Sequence, residues 1–282
     1  MTYSHRKGMD KSPVEMLAAY QDDAVKAQML ADLEMPELYR DMTESVRPLV
    51  KIFDEGNLAD FYHKMTEEIR EVTADGLIFT ENSYFSNMGI ESSVQRIRVD
   101  GHAEPLQVYS PHGYDLVVDT PAIVYASNQR IMTILDAHKR VQERLDVPVV
   151  FGEWGAHGAY EEGLDHIAYI LNYFDESKWS HTYYCWENNM TNLPVMKILS
   201  RPYPQATAGK IDFYRYDFKN KVFQFKWTEK EVLQASTSLY LPMRPANICF
   251  DGAYTIHQEE DGSCIMSIPA VGEKSQELTL EW

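Results

Sequence analysis

Four short motifs in this chain set a polar or aromatic side chain directly after an apolar run. They read Leu77-Ile78-Phe79-Thr80-Glu81-Asn82, Val108-Tyr109-Ser110-Pro111-His112-Gly113-Tyr114-Asp115, Val149-Val150-Phe151-Gly152-Glu153-Trp154-Gly155 and Tyr183-Tyr184-Cys185-Trp186-Glu187. A carboxylate closing an apolar strand is held rigidly, which suits it to attack an electron-poor anomeric carbon or to stabilise its developing charge. Glu153 is the sharpest case, because Gly152 and Gly155 let the backbone come close to whatever is bound. The plainer reading makes it a helix cap or an ion-pair partner at a rim. His112 and Tyr114 stand two apart, so in an extended chain they face the same way. A tyrosine hydroxyl donating to the Glu153 carboxylate would hold it ionised and aimed. The same His-Gly-Tyr also fits a turn whose polar tips bond to the backbone. Trp186 offers a flat ring either to a sugar face or to core packing. Glu81 and Glu187 fit as charge partners at the rim, or as the acid of a rearranged site.

The elements that must position these groups alternate. Residues 12–75 read as helices: Ser12-Pro13 forms a cap, and Met42, Val46, Leu49, Val50 and Phe53 repeat at helical spacing. Gly56-Asn57 is expected to interrupt before Leu58, Phe61, Tyr62, Met65 and Ile69 resume the stripe. Four short apolar runs then follow, each typical of a buried parallel strand. Ser127 caps an amphipathic helix before the third run, with Ile131, Ile134, Leu135, His138, Val141 and Leu145 on its inner face. Another helix, with Leu164, Ile167, Ala168, Leu171 and Phe174, precedes the fourth. The stretch 83–105 shows no clear helix. Strand and helix units of this length predict an α/β fold with a parallel sheet. A complete (β/α)8 barrel has eight such units in about 250 residues, so four units ending near residue 195 predict a partial TIM barrel over residues 1–200. From Arg201 the texture changes to closely spaced short strands separated by Lys219-Asn220, Asp251-Gly252 and Asp261-Gly262, which predicts an antiparallel β-sandwich over 201–282.

Composition narrows the partners. The 282 residues hold 26 Lys and Arg against 43 Asp and Glu, a net charge of −17 that repels phosphate backbones and anionic lipid and argues against nucleic acid. Cys185, Cys249 and Cys264 form no CxxC pair, so neither a disulfide framework nor a zinc site is indicated. No apolar run approaches the roughly 18 residues of a membrane span, and residues 1–13 lack the apolar core of an export signal. Localisation is left open, because it depends on whether the true amino terminus lies upstream of Met1.

The four strand ends resemble strands five to eight of glycoside hydrolase family 5. The Pro-His-Gly-Tyr-Asp form at 111–115 and the Arg201-Pro202-Tyr203-Pro204 junction resemble its endoglycoceramidase branch most. The resemblance implies a retaining β-glycosidase with Glu153 as nucleophile and His112, Tyr114, Trp186 and Glu81 around the sugar, acting without metal or organic cofactor. A β-linked glycoside or glycolipid would be the substrate. In that family the acid/base glutamate follows an asparagine on strand four, and this chain has no Asn-Glu dipeptide. The resemblance therefore implies an N-terminally truncated form, whose open barrel edges invite another chain. The alternative is a non-catalytic sugar-binding or half-barrel partner protein.

Overall fold

The computed structural model describes residues 2–230 and 233–282. The chain divides into two compact units, Met1–Ala156 with Trp179–Trp186, and His157–Lys178 with Glu187–Trp282.

Helices open the first unit: α1 Thr2–Arg6, α2 Pro13–Ala19, α3 Asp23–Asp32, α4 Pro36–Phe53 and α5 Ala59–Val72. As predicted, Ser12 caps α2. Its hydroxyl accepts from the Glu15 N–H while the Glu15 carboxylate accepts from the Ser12 N–H, so two orphan donors are satisfied reciprocally. Gly56-Asn57 does not break the helix. Asp54–Leu58 winds instead as a π-helical turn that carries α4 into α5. Buried Asp54 ties this turn down, accepting from Ser92 Oγ at 2.6 Å and from the Ser93 N–H at 2.7 Å. The helical stripes pack less than their spacing predicts: Val50 is buried, but Leu49, Phe53, Phe61 and Met65 are exposed.

Four parallel strands follow, β1 Ile78–Thr80, β2 Gln107–Tyr109, β3 Val150–Gly155 and β4 Ser180–Tyr184. They lie side by side in chain order. Phe79 pairs with Val108, Tyr109 bridges to Val149, and Gly155 pairs with Tyr184. Helix α6, Asn128–Leu145, connects β2 to β3 and is capped by Ser127 as predicted. Ile131, Ile134, Leu135, His138, Val141 and Leu145 are all buried, each apolar member contributing roughly 1.5–3 kcal/mol of burial free energy. The stretch between β1 and β2 holds a 3-10 turn at Tyr84–Met88 and a small hairpin pairing Arg98–Val99 with His102–Ala103.

In the second unit, α7 Leu164–Ser177 and a short helix Met196–Leu199 precede eight strands among the described residues. These are β5 Tyr203–Ala206, β6 Gly209–Asp217, β7 Val222–Glu229, β8 Thr237–Leu241, β9 Asn247–Cys249, β10 Thr255–Gln258, β11 Cys264–Ile268 and β12 Ser275–Glu281. They form two sheets, ordered β10-β11-β8-β5 and β9-β12-β7-β6, with every pairing antiparallel. Strict alternation along β7 sends Phe223, Phe225 and Trp227 into one core with Leu239, Leu241, Met266, Ile268, Leu278 and Leu280. Strand β5 lies where the sequence reads as a turn-rich junction, because Pro204 hides a pairing to Leu239. Ahead of it, buried Arg201 forks onto the Asp175 carboxylate of α7 at 2.6 and 2.9 Å.

Candidate active site

The carboxyl ends of β1, β2 and β3 converge on a cleft of about 860 Å³ that belongs wholly to the first unit. Register explains the convergence. β2 runs between β1 and β3, and beyond its end His112 bridges to Glu153 while the Gly152 N–H donates to the Pro111 carbonyl. Glu81 follows the last residue of β1, so His112 stands with one glutamate on either side. Its Nδ1 lies 3.4 Å from Glu81 Oε1 and 3.3 Å from Glu153 Oε2.

Glu153 is fixed from several directions. Trp154 beside it is fully buried, so alternation along β3 turns the Glu153 side chain the other way, into the cleft. The Tyr114 hydroxyl donates to Glu153 Oε2 at 3.0 Å. Burial, and then the Glu153 carboxylate itself, push the Tyr114 phenol well above its ordinary range, so it stays a donor at physiological pH. Gly152 is needed here for space: a Cβ on it would lie 2.8 Å from the His112 ring. Gly155 at φ +100° has a conformation open to glycine, and a Cβ there would meet the Tyr183 ring at 2.2 Å.

The loop carrying His112 and Tyr114 is anchored one residue on. Asp115 is buried and receives both arms of the Arg130 guanidinium at 2.7 Å, and it also accepts from the Ser127 N–H at the start of α6. A buried carboxylate forked by arginine and bonded to a helix N-terminus is strongly held. On the other flank, the Tyr62 hydroxyl of α5 accepts from the Glu81 N–H at 2.8 Å and donates to the Glu81 carbonyl at 2.9 Å. Phe53, Leu58, Met88, Leu116 and Val118 add apolar side chains to the lining of the cleft.

A family model described as cellulase (glycosyl hydrolase family 5) matches residues 38–190, more than half of the chain. The chain belongs to glycoside hydrolase family 5. A second model, the glycoside hydrolase family 5 C-terminal domain, matches residues 201–280. Among solved structures, endo-glycoceramidase II from Rhodococcus sp. superposes with a TM-score of 0.67 at 20% identity, over 82% of this chain and 55% of that one. The same enzyme in a ganglioside GM3 complex gives 0.64 at 20% identity and the same coverage. Sterylglucosidase 1 from Cryptococcus neoformans gives 0.57 at 14% identity, over 81% of this chain and 45% of that one. This chain thus spans about half the length of these structures, and at these identities the likeness is one of fold. No curated protein matches the sequence.

The structure gathers Glu81, His112, Tyr114 and Glu153 of this family 5 chain into one cleft. It does not gather all the residues singled out by sequence. The Trp186 indole is three-quarters exposed and does not line the cleft, whereas Tyr184, two residues earlier, does. Glu187 falls in the second unit, with its carboxylate beside Gly158. Tyr62 and Arg130 were missed as supports. Arg130 carried a legible signal, being the one cation in the first two turns of a helix whose neighbours are otherwise apolar or neutral. Tyr62 carried none, since its partner is a main chain 19 residues away. Among the described residues no group of three or more His, Cys, Asp or Glu is arranged to hold a metal ion.

Proposed function

We propose that this chain carries the nucleophile side of a retaining β-glycosidase, with Glu153 attacking the anomeric carbon of a β-linked glycoside. The supporting observation is the hydrogen bond from Tyr114 to a Glu153 carboxylate that faces a sugar-sized cleft beside His112. A carboxylate that accepts a hydrogen bond from a phenol that stays protonated is held and aimed, as a nucleophile needs to be. The apolar side chains in the cleft lining favour a lipid-like aglycone, so a glycolipid is the substrate class proposed, as for the endoglycoceramidase branch. In the same reading the first unit holds about strands five to eight of a (β/α)8 barrel, and the two antiparallel sheets form a β-sandwich behind a division near residue 200.

The sequence has no Asn-Glu dipeptide, so the family's usual acid/base position is not represented in these residues. In a retaining mechanism a second carboxyl group protonates the leaving oxygen and later activates water. It comes either from a truncated portion of a longer barrel or from a group already lining this cleft. A rival reading, a non-catalytic half-barrel partner, draws on β1: its outer edge is unpaired among the described strands, and Leu77 and Phe79 are half exposed there.

The test of Glu153 avoids any need for an acid. A 2-deoxy-2-fluoro β-glycoside with a dinitrophenolate leaving group departs unassisted and leaves a long-lived glycosyl-enzyme. Incubation with the glucosyl and galactosyl forms is expected to raise the intact mass by one fluoroglycosyl residue, mapped to the peptide holding Glu153 and absent in Glu153→Gln. Labelling elsewhere, or none, removes Glu153 from the mechanism.

A further inference from the structure

We infer that the Asn87 side chain is a fixed hydrogen-bond donor of the cleft, and that its amide N–H groups hold a hydroxyl oxygen of the bound sugar. The inference rests on the glycosidase reading and adds to it a contact that selects among sugars. Asn87 lies in the 3-10 turn Tyr84–Met88 that follows β1, and it lines the same cleft as Glu81 and Glu153. An amide can face a ligand with its oxygen or with its nitrogen, and the two recognise opposite partners. The neighbours of Asn87 decide which it presents.

The decision starts at a backbone carbonyl, which can only accept. Asn82, 6% exposed, brings its side-chain nitrogen to 2.9 Å from the Ser83 carbonyl oxygen. Its Oδ1 stands 3.0 Å from the hydroxyl of Tyr109, the last residue of β2. Two oxygens that close need a proton between them, and the hydroxyl supplies it. Turning the Asn82 amide over would set its oxygen against the Ser83 carbonyl, where neither has a proton to give. Asn82 Nδ2 is thus fixed as a donor, and its second proton goes to Asn87 at 2.7 Å. The Asn87 atom facing it must accept, so that atom is Oδ1. Asn87 Nδ2 is left outward, open to solvent and with no partner among the described residues.

The donor also has a rigid base. The buried Tyr39 of α4 donates its hydroxyl proton to the Met88 carbonyl at 2.9 Å, and the Gly89 N–H donates to the Ser86 carbonyl at 2.9 Å. These bonds close the turn around Asn87. Behind Asn82, the fully buried Tyr109 hydroxyl has given away its proton and accepts from His138 Nδ1 at 2.9 Å. A donor held in this way loses little conformational freedom when a ligand arrives. The cleft lining includes Glu81 and Glu153, so an anionic oxygen is repelled and a neutral hydroxyl is the acceptor that suits Asn87.

The test pairs Asn87 with each sugar hydroxyl in turn. The readout is first-turnover dinitrophenolate release below saturation from dinitrophenyl β-glycosides of the sugar that labels Glu153. These are compared intact and lacking the hydroxyl at carbon 2, 3, 4 or 6. Removing one particular hydroxyl should slow wild type about 3- to 10-fold relative to Asn87→Ala, in which the contact is already gone; that is the worth of one neutral hydrogen bond. Fluorine at the same carbon accepts but cannot donate, so wild type should prefer it to hydrogen there. Asn87→Asp keeps the oxygen facing Asn82 and loses the outward N–H groups, and should lose that preference. Asn82→Asp should lose it too, because a carboxylate that only accepts turns the Asn87 nitrogen inward. Three results overturn the inference: hydroxyl removals that slow wild type and Asn87→Ala alike at every carbon, a wild type indifferent between fluorine and hydrogen, or a fluorine preference that survives in either aspartate variant. Failure of the glycosidase reading looks different, since wild type then releases no dinitrophenolate and takes no label, and the role of Asn87 falls with it.

Discussion

Replacing Tyr114 by Phe deletes one oxygen and asks how much of the nucleophile's competence comes from a single hydrogen bond. The Tyr114 hydroxyl donates to Glu153 Oε2 at 3.0 Å, and the Glu153 side chain is 40% exposed. A hydrogen bond to a charged group is worth about 1.5–3 kcal/mol net. Water reaches this carboxylate and replaces part of the lost bond, so the lower half of that range applies, about 1.5–2 kcal/mol. At about 1.36 kcal/mol per factor of ten, the rate of fluoroglycoside labelling should fall about 10- to 30-fold. The phenyl ring remains, so packing in the cleft wall is conserved and the thermal midpoint should hold. The assay is the pseudo-first-order rate of dinitrophenolate release at saturating reagent, read beside the concentration giving half the maximal rate. A saturating rate within threefold of wild type, or a loss confined to the half-saturating concentration, would refute the idea that Tyr114 aims the nucleophile.

Two further outcomes follow from groups away from the reacting carbon. Buried His138 accepts from or donates to the Tyr109 hydroxyl at 2.9 Å, and burial depresses its pKa from 6.5 to about 3. The folded state thus leaves it neutral where the unfolded chain protonates it, so its stability contribution is full above pH 6.5 and shrinks as pH falls. The loss should reach about 2 kcal/mol by pH 5; urea unfolding at pH 7 and pH 5 should show wild type losing that much more than His138→Gln, and parallel losses would contradict it. Separately, the exposed Phe79 on the free edge of β1 should support self-association or pairing with another chain. Light scattering over a concentration series should then show mass above 32.6 kDa that Phe79→Lys lowers, raising the dissociation constant about tenfold or more; a constant monomer mass for wild type would remove the association.

The strands were legible because their signal is local. Each parallel run is short, apolar and followed by its functional residue, and the helix α6 has caps and a stripe that agree with each other. The π-helical turn was not legible, since Gly56-Asn57 reads as a break and only the distant Ser92 and Ser93, donating to Asp54, keep the helix running. Strand β5 was hidden for a similar reason: Pro204 and its neighbours look like turns until a partner strand supplies the pairing. At the site, contiguous residues announced themselves, as with His112, Tyr114 and Asp115. Trp186 shows the opposite limit, because where a ring points beyond a strand end depends on the loop that follows and not on the strand itself.

The placement of Glu153 depends on more than its own motif. Tyr114 can aim it only if the 112–115 loop is rigid, and that loop is held by the fork between Asp115 and Arg130. Arg130 in turn belongs to the first turn of α6 and donates to the Leu30 carbonyl of α3 as well as to that of Tyr125. A guanidinium that is 2% exposed cannot be left without its carboxylate, since breaking a buried pair costs about 3–5 kcal/mol. The orientation of Glu153 is therefore coupled through three side chains to the amino-terminal helices. Glu81 is held by the same kind of device on the other side, with Tyr62 of α5 gripping its peptide. Glu81 thus takes part of its placement from a helix that precedes β1, and the α6 fork behind Glu153 is tied to another through the Leu30 carbonyl, which makes the helical segment ahead of the parallel strands a working part of the site and not merely a cover for it.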